Sequence, residues 1–352
     1  MPAVPLTDVL YTICPVFVAS NVALELGLLD EEFRRVGARP VYLRSLPDNA
    51  GWLPHFRHSL PALFRDGGAI PTIWARADLT RTKLIATTFT TRAGQIVVRA
   101  DADIHRVADL AGRRFGLTRS TLTEKIDFSR ATAERGIELA LQIAGLARQD
   151  VSIVDLDDTD ATPPAPASRP AELWASLHGH TAQDIVALSE GRVDAIYSSP
   201  ARTRALIDSG RYKIIEDLDN HPDWTLRVTN GPYTNAVNAD FADAHPDIVV
   251  AFLRASIRAG RWINANRAAA ADIFARTTTY RDAGQIAGLI EDFDFVPSLS
   301  RQNLAGLRIQ KDFLRSHGYV RNDFAIEDWA DARYLTEALD SLDADDTLRR
   351  AA

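Results

Sequence analysis

Cysteine is almost absent: Cys14 is the only one in 352 residues. That excludes an intrachain disulfide and any cysteine-cluster zinc or iron–sulfur site. Histidine is sparse too, with eight residues scattered along the chain. The closest pairs, His55/His58 and His178/His180, lack an HExxH-like context, so no metal is expected. No run of about 18 apolar residues occurs, so no membrane span is expected. There is no long basic stretch and the net charge is −7, which argues against a nucleic-acid partner. The opening MPAVPLTDVLYTICP has no basic segment followed by a long apolar run and a small-residue cleavage site. A cytoplasmic protein is therefore expected.

What remains is ordinary for a soluble globular chain, 46% hydrophobic and 25% charged. Its length exceeds what one compact core holds, so two lobes are expected. Strand-like and helix-like segments alternate, which indicates an α/β fold. VLYTI, RPVYLRSL (39–46), TKLIATTFT and GQIVVRA read as strands, and VASNVALELGLLDEEF and ERGIELALQIAG as helices. The Asp66-Gly67-Gly68 step reads as a turn. The Pro- and Ala-rich 159–173 reads as a loop, and the chain from about His245 onward as mostly helical. The division expected is a discontinuous first lobe, 1–100 plus 218–352, around an inserted second lobe, 101–217, with the ligand cleft between them.

Two stretches carry candidate chemistry. Cys14 falls where the first strand gives way to a helix, at the strand's carboxyl end, where open α/β sheets bind ligands. A lone cysteine is by default a small buried filler, but a strand end can expose it. The second stretch, HFRHSLPALFRDGGAIP (55–71), joins two histidines, Arg65 and the glycine pair Gly67-Gly68. An arginine fork beside close-approaching amides suits a small oxyanion. The plainer alternative makes Arg65 a solvated helix-end residue, the glycines a C-cap, and His55 and His58 hydrogen-bonded loop histidines.

The stretch ADLAGRRFGLT and the later GRVDAIYSS resemble the phrases that frame the second lobe of type II periplasmic-binding-protein folds. More specific is the set Tyr11-x-x-Cys14-Pro15-Val16, His55-Phe56, Pro61-Ala62 and Arg65-x-Gly67-Gly68-x-Ile70-Pro71. In order and spacing it resembles the active-site pattern of the 2'-hydroxybiphenyl-2-sulfinate desulfinases of dibenzothiophene desulfurisation. Weaker similarity runs through TRTKLIA to IEDWADARYL, nearly the whole chain. The departures fall at Leu60, near Thr132 and at Pro200-Ala201-Arg202, on the side that would grip the aryl group.

The resemblance implies a two-lobe type II periplasmic-binding-protein-like fold with mixed sheets flanked by helices. It implies cofactor-independent hydrolysis of an aryl sulfinate to an arene or phenol and sulfite, by a monomer. Cys14, His55 and Arg65 would be catalytic, with Cys14 either proton donor or thiolate nucleophile. Gly67, Gly68, Phe56, Tyr11, Thr12, Ser198 and Ser199 would contact substrate, with Arg65 holding the sulfinate through its fork and the glycine amides assisting. Spacing favours His55 over His58 as the partner of Cys14. Two other functions suit the same fold: a receptor for sulfonate, taurine or nitrate-type anions, and an aromatic decarboxylase.

Overall fold

A computed structural model describes residues 7–158, 164–176 and 182–351. Its strands are β1 (Thr7–Ile13), β2 (Ala38–Tyr42), β3 (Leu63–Gly67), β4 (Thr82–Thr88), β5 (Gln95–Arg99), β6 (Arg114–Ser120), β7 (Ser152–Asp158), β8 (Ala195–Ser198), β9 (Tyr212–Asp217) and β10 (Tyr233–Asn238). They form two five-stranded sheets, ordered β2-β1-β3-β10-β4 and β7-β6-β8-β5-β9. Both follow one plan. In the first, β1 runs parallel to β2 and β3 while β10 runs antiparallel to its neighbours. In the second, β6 runs parallel to β7 and β8 while β5 is the antiparallel strand.

The chain divides into two units: Met1–Thr90 with Pro164–Ser176 and Gly231–Ala352, and Thr91–Pro163 with Leu177–Asn230. The boundaries expected at 100/101 and 217/218 thus move to 90/91 and 230/231. The physical reason is pairing: β5, assigned from sequence to the first lobe, hydrogen-bonds with β8 and β9 of the second sheet. Residues 164–176, expected within the second lobe, belong to the first unit and end in the helix Pro170–Ser176. Part of the Pro-rich stretch, 159–163, lies outside the described residues.

In the first unit, β1 buries Val9, Tyr11 and Ile13 against the helices Ala19–Glu25, Leu28–Arg35 and Pro246–Ala265. Phe64 of β3 stacks on Phe252 of the long helix at 4.5 Å between ring centroids. Glu32, also in this core, accepts from Arg254 at 2.9 Å and Arg258 at 2.6 Å, so its charge is matched where water cannot reach it. From Ala239 onward the described residues are helices and connections, with isolated bridges at Ser298 and Ala330. The stretch around Arg65 differs from its sequence reading. LFRDG is a strand through Gly67, and Ala69–Asp78 is a helix. β3 lies between β1 and β10, so pairing on both sides overrides the turn preference of Asp-Gly-Gly.

Candidate active site around Cys14

The sulfur is placed by backbone constraints before any side chain acts. Cys14 follows the last residue of β1, and its N–H donates to the Asp66 carbonyl at 2.9 Å. Its own carbonyl accepts from the Val16 N–H at 2.8 Å and from Asn21 Nδ2 at 3.2 Å, and Asn21 also reaches the Val16 carbonyl at 3.0 Å. The turn after β1 is thereby tied to the helix Ala19–Glu25. Gly67 is opposite. A Cβ there would lie 2.3 Å from Cys14 Sγ, and its φ of +149° is open only to glycine. Gly67 therefore makes room for the sulfur, which is a different role from amide donation to a substrate.

Two side chains meet the sulfur. Arg65 Nη2 donates to Cys14 Sγ at 3.3 Å, and His55 Nε2 lies 3.8 Å from it. Thr12 and Arg65 are paired across β1 and β3 and so project to one face, toward the helix Trp52–Arg57 that carries His55. Thr12 Oγ1 is 2.7 Å from His55 Nδ1. The hydroxyl that sequence reasoning gave to the substrate orients the imidazole. Phe56 is buried, with its ring set edge-on to His55 at 4.8 Å, and packs behind the imidazole. Tyr11 projects to the opposite face of β1 and sits in the core, 5.5 Å from Tyr42.

The Arg65 fork is not open in the way the sequence suggested. Nε donates to the His55 carbonyl at 3.0 Å, and Nη1 to the Gly68 carbonyl and Thr72 Oγ1, each at 2.9 Å. Thr72 is in turn 2.7 Å from Thr234 Oγ1. Four of the five N–H groups thus have protein acceptors, and one on Nη2 is left for a ligand. Gly68 acts here through its carbonyl. Arg65 is 1% exposed, so the solvated helix-end alternative is excluded.

Burial, then the nearby charges of Arg65, Arg44 and His58, hold His55 well below the ordinary imidazole range. It is neutral at physiological pH. His58 is fully buried, bonds the Leu63 carbonyl through Nε2 at 2.8 Å and is pushed down to about 4 by burial. It anchors the turn into β3, and His55 is the histidine at the sulfur. Asp66 faces away from Arg65 and takes a hydrogen bond from Ser20. Burial pushes its carboxyl up to about 7 against the opposing effects of Ser20 and Arg65.

Ser198 and Ser199 belong to the second unit. Ser198 Oγ accepts from Arg202 Nε at 3.2 Å, and Ser199 precedes the helix Pro200–Asp208, its carbonyl accepting from Thr203 N at 2.9 Å. Among the described residues, no group of three or more His, Cys, Asp or Glu side chains could hold a metal ion. Sequence reasoning missed Asn21, Thr72, and Arg44 with its neighbours. A lone Asn in the apolar run of VASNVALEL was the one signal available for Asn21.

The chain belongs to the NMT1/THI5-like family, whose model matches residues 71–270. Its fold is the type II periplasmic-binding-protein-like one, two mixed sheets flanked by helices. Within that fold, a solved desulfurization enzyme, DSZB, superposes with a TM-score of 0.72 at 23% identity, covering 95% of this chain and 99% of that one. A cysteine-to-serine variant of DSZB in complex with biphenyl-2-sulfinic acid gives 0.70 at 22% identity over the same shares. The periplasmic sulfonate-binding protein SsuA from Methylobacillus flagellatus KT gives 0.68 at 19% identity, covering 97% and 96%. In sequence, the chain is 26% identical to the 2'-hydroxybiphenyl-2-sulfinate desulfinase of Rhodococcus erythropolis, over 94% of this chain and 93% of that protein.

Proposed function

We propose that the protein is a desulfinase that cleaves the C–S bond of an aryl sulfinate. Water is consumed and the arene and hydrogen sulfite are released. The observation that carries this reading is the single thiol set between a guanidinium N–H at 3.3 Å and a neutral imidazole at 3.8 Å. The Cys14 thiol donates its proton to the ring carbon bearing sulfur. The C–S electron pair returns to the ring and sulfur leaves as sulfur dioxide, which water converts to hydrogen sulfite and a proton. The Arg65 N–H meets the negative charge left on Sγ, and His55 returns a proton to it. A neutral His55 can pass a proton back to Sγ, whereas a standing thiolate would leave its charge to Arg65 alone. No redox step occurs, so no cofactor enters the balance.

The test is incubation with 2-phenylbenzenesulfinate and benzenesulfinate while following sulfite, with no added cofactor. Stoichiometric sulfite and arene are expected. A second reading, a non-catalytic sulfonate receptor, is favoured by the superposition on a sulfonate-binding protein. It predicts tight binding of sulfonates and sulfinates with no product from either.

A further inference from the structure

Arg44 follows β2 and is 3% exposed, a buried cation with no carboxylate partner among the described residues. Its Nη2 donates to Asn49 Oδ1 at 2.8 Å and to the Pro164 carbonyl at 2.6 Å, and its guanidinium lies 4.9 Å from the centre of the Trp52 ring. Three donors in this cluster are buried without an acceptor: Arg44 Nε, Trp52 Nε1 and the Tyr42 hydroxyl. Burial keeps that hydroxyl protonated, so it remains a donor. A buried positive charge with three unanswered donors is unfavourable unless an anion supplies both the charge and the lone pairs.

The cluster stands beside the sulfur. Tyr42 is the last paired residue of β2, opposite Tyr11, and the turn Leu43–Ser45 that carries Arg44 follows it. Arg44 and Cys14 are both near enough to bear on the Tyr42 hydroxyl. Trp52 and His55 are three apart on one helix and share a face. Arg44 is near enough to disfavour protonation of His55. Arg65, meanwhile, has four of its five N–H groups committed to the protein and one to spare.

We propose that Arg44, Tyr42 and Trp52 form an anion cradle beside Cys14 that takes the oxygens of the substrate's acid group. The desulfinase reading supplies the identity of that group, a sulfinate. Arg65 then serves mainly the cysteine sulfur and Arg44 the substrate, and an aryl acid rather than a neutral aryl compound is what the site selects.

The test titrates benzenesulfinate and the neutral methyl phenyl sulfone, by calorimetry, into the full chain carrying Cys14→Ser. Arg44→Gln, Tyr42→Phe and Trp52→Phe are each added to that background. Benzenesulfinate should weaken about tenfold or more with Arg44→Gln and about threefold to tenfold with each phenylalanine variant. Binding of the sulfone should stay within about twofold, because it places no charge on Arg44. Unchanged sulfinate affinity in Arg44→Gln, or parallel loss of the sulfone, overturns the cradle. If Arg44→Gln does not fold, the two phenylalanine variants keep the packing and decide: unchanged affinity in both overturns it. Failure of the two readings is distinguishable. Wild-type protein that binds benzenesulfinate through Arg44 but releases no sulfite keeps the cradle and refutes desulfination. Sulfite release with affinities indifferent to all three variants does the reverse, and a protein that binds no sulfinate refutes both.

Discussion

The ends of β3 and β8 hold the same ingredients, arginine and aspartate at the carboxyl end of a buried strand, arranged to opposite effect. At β8, Arg202 grips Asp184 through two bonds of 2.8 and 3.2 Å and takes the Tyr197 carbonyl at 2.7 Å. Cation and anion cancel, and the assembly braces the strand end. At β3, Arg65 and Asp66 are adjacent in sequence, so strand alternation sends them to opposite faces. Arg65 meets the sulfur and Asp66 meets only the Ser20 hydroxyl. Two buried ionisable groups are kept apart on the strand that borders the thiol. A neutralised arginine belongs to the architecture, whereas one without a carboxylate beside a thiol is available to chemistry.

The contrast breaks most sharply at the sulfur. Cys14→Ser should lower sulfite release by about a thousandfold or more, because a hydroxyl is a far weaker acid at the same position. Melting temperature and sulfinate binding should stay near wild type. Sulfite release within tenfold of wild type would remove Cys14 from the reaction. Next come the two arginines, each changed to lysine. Arg65→Lys keeps charge but loses the planar fork that reaches His55, Gly68 and Thr72, and should cost about 1–3 kcal/mol in kcat/KM. Arg202→Lys should appear in thermal stability and leave Arg65-dependent turnover intact. Equal kinetic losses in both would erase the distinction between the two strand ends.

The carboxyl on β3 sharpens it further. Asp66 is raised to about 7 in the fold, against an ordinary aspartate in the unfolded chain. Its contribution to stability is fully present below the unfolded value and is lost as pH rises through about 7. Between pH 5 and 8 the loss amounts to about 2–3 kcal/mol. Asp66→Asn keeps an acceptor for Ser20 and cannot ionise, so it should gain on wild type as pH rises across that window. The difference between the two proteins isolates Asp66, since the buried histidines titrate alike in both. A constant difference from pH 5 to 8 would show that Asp66 is ionised in the fold throughout that window.

How legible all this was depends on whether a property is local. The α/β alternation, the strand before Cys14 and the helical C-terminal part follow from period and residue type, and all three hold. The Cys14–His55–Arg65 constellation was legible only through the resemblance to the desulfinase pattern, since the residues taken alone also allowed the plainer alternative. The state of Arg65 was not: whether its fork faces substrate or protein depends on Thr72 and the His55 carbonyl, contacts fixed only when helix and sheet pack. The same holds for Gly67, where the reason for glycine is a cysteine 53 positions earlier in the chain. Boundaries failed at β5 because an antiparallel strand is assigned to a sheet by its partners and by nothing in its own sequence.

The smallest expected effect tests how the thiol is served by its histidine. Thr12 and His55 are 2.7 Å apart, and that bond holds the ring with Nε2 turned toward Sγ. Thr12→Val keeps shape and strand propensity but removes the hydroxyl, freeing the ring to turn and leaving Nδ1 without its partner. The loss should be about 1 kcal/mol, a fewfold fall in kcat with KM nearly unchanged, because the Thr12 hydroxyl is engaged by the imidazole. Thr12→Ser should restore the rate. His55 is held neutral well below its ordinary range by burial and by Arg65, so wild-type kcat should show no acid limb centred near 6.5. A limb at that value in the wild type would place the imidazole in open solvent, and a Thr12→Val enzyme with full kcat would show that the ring orients itself without help from β1.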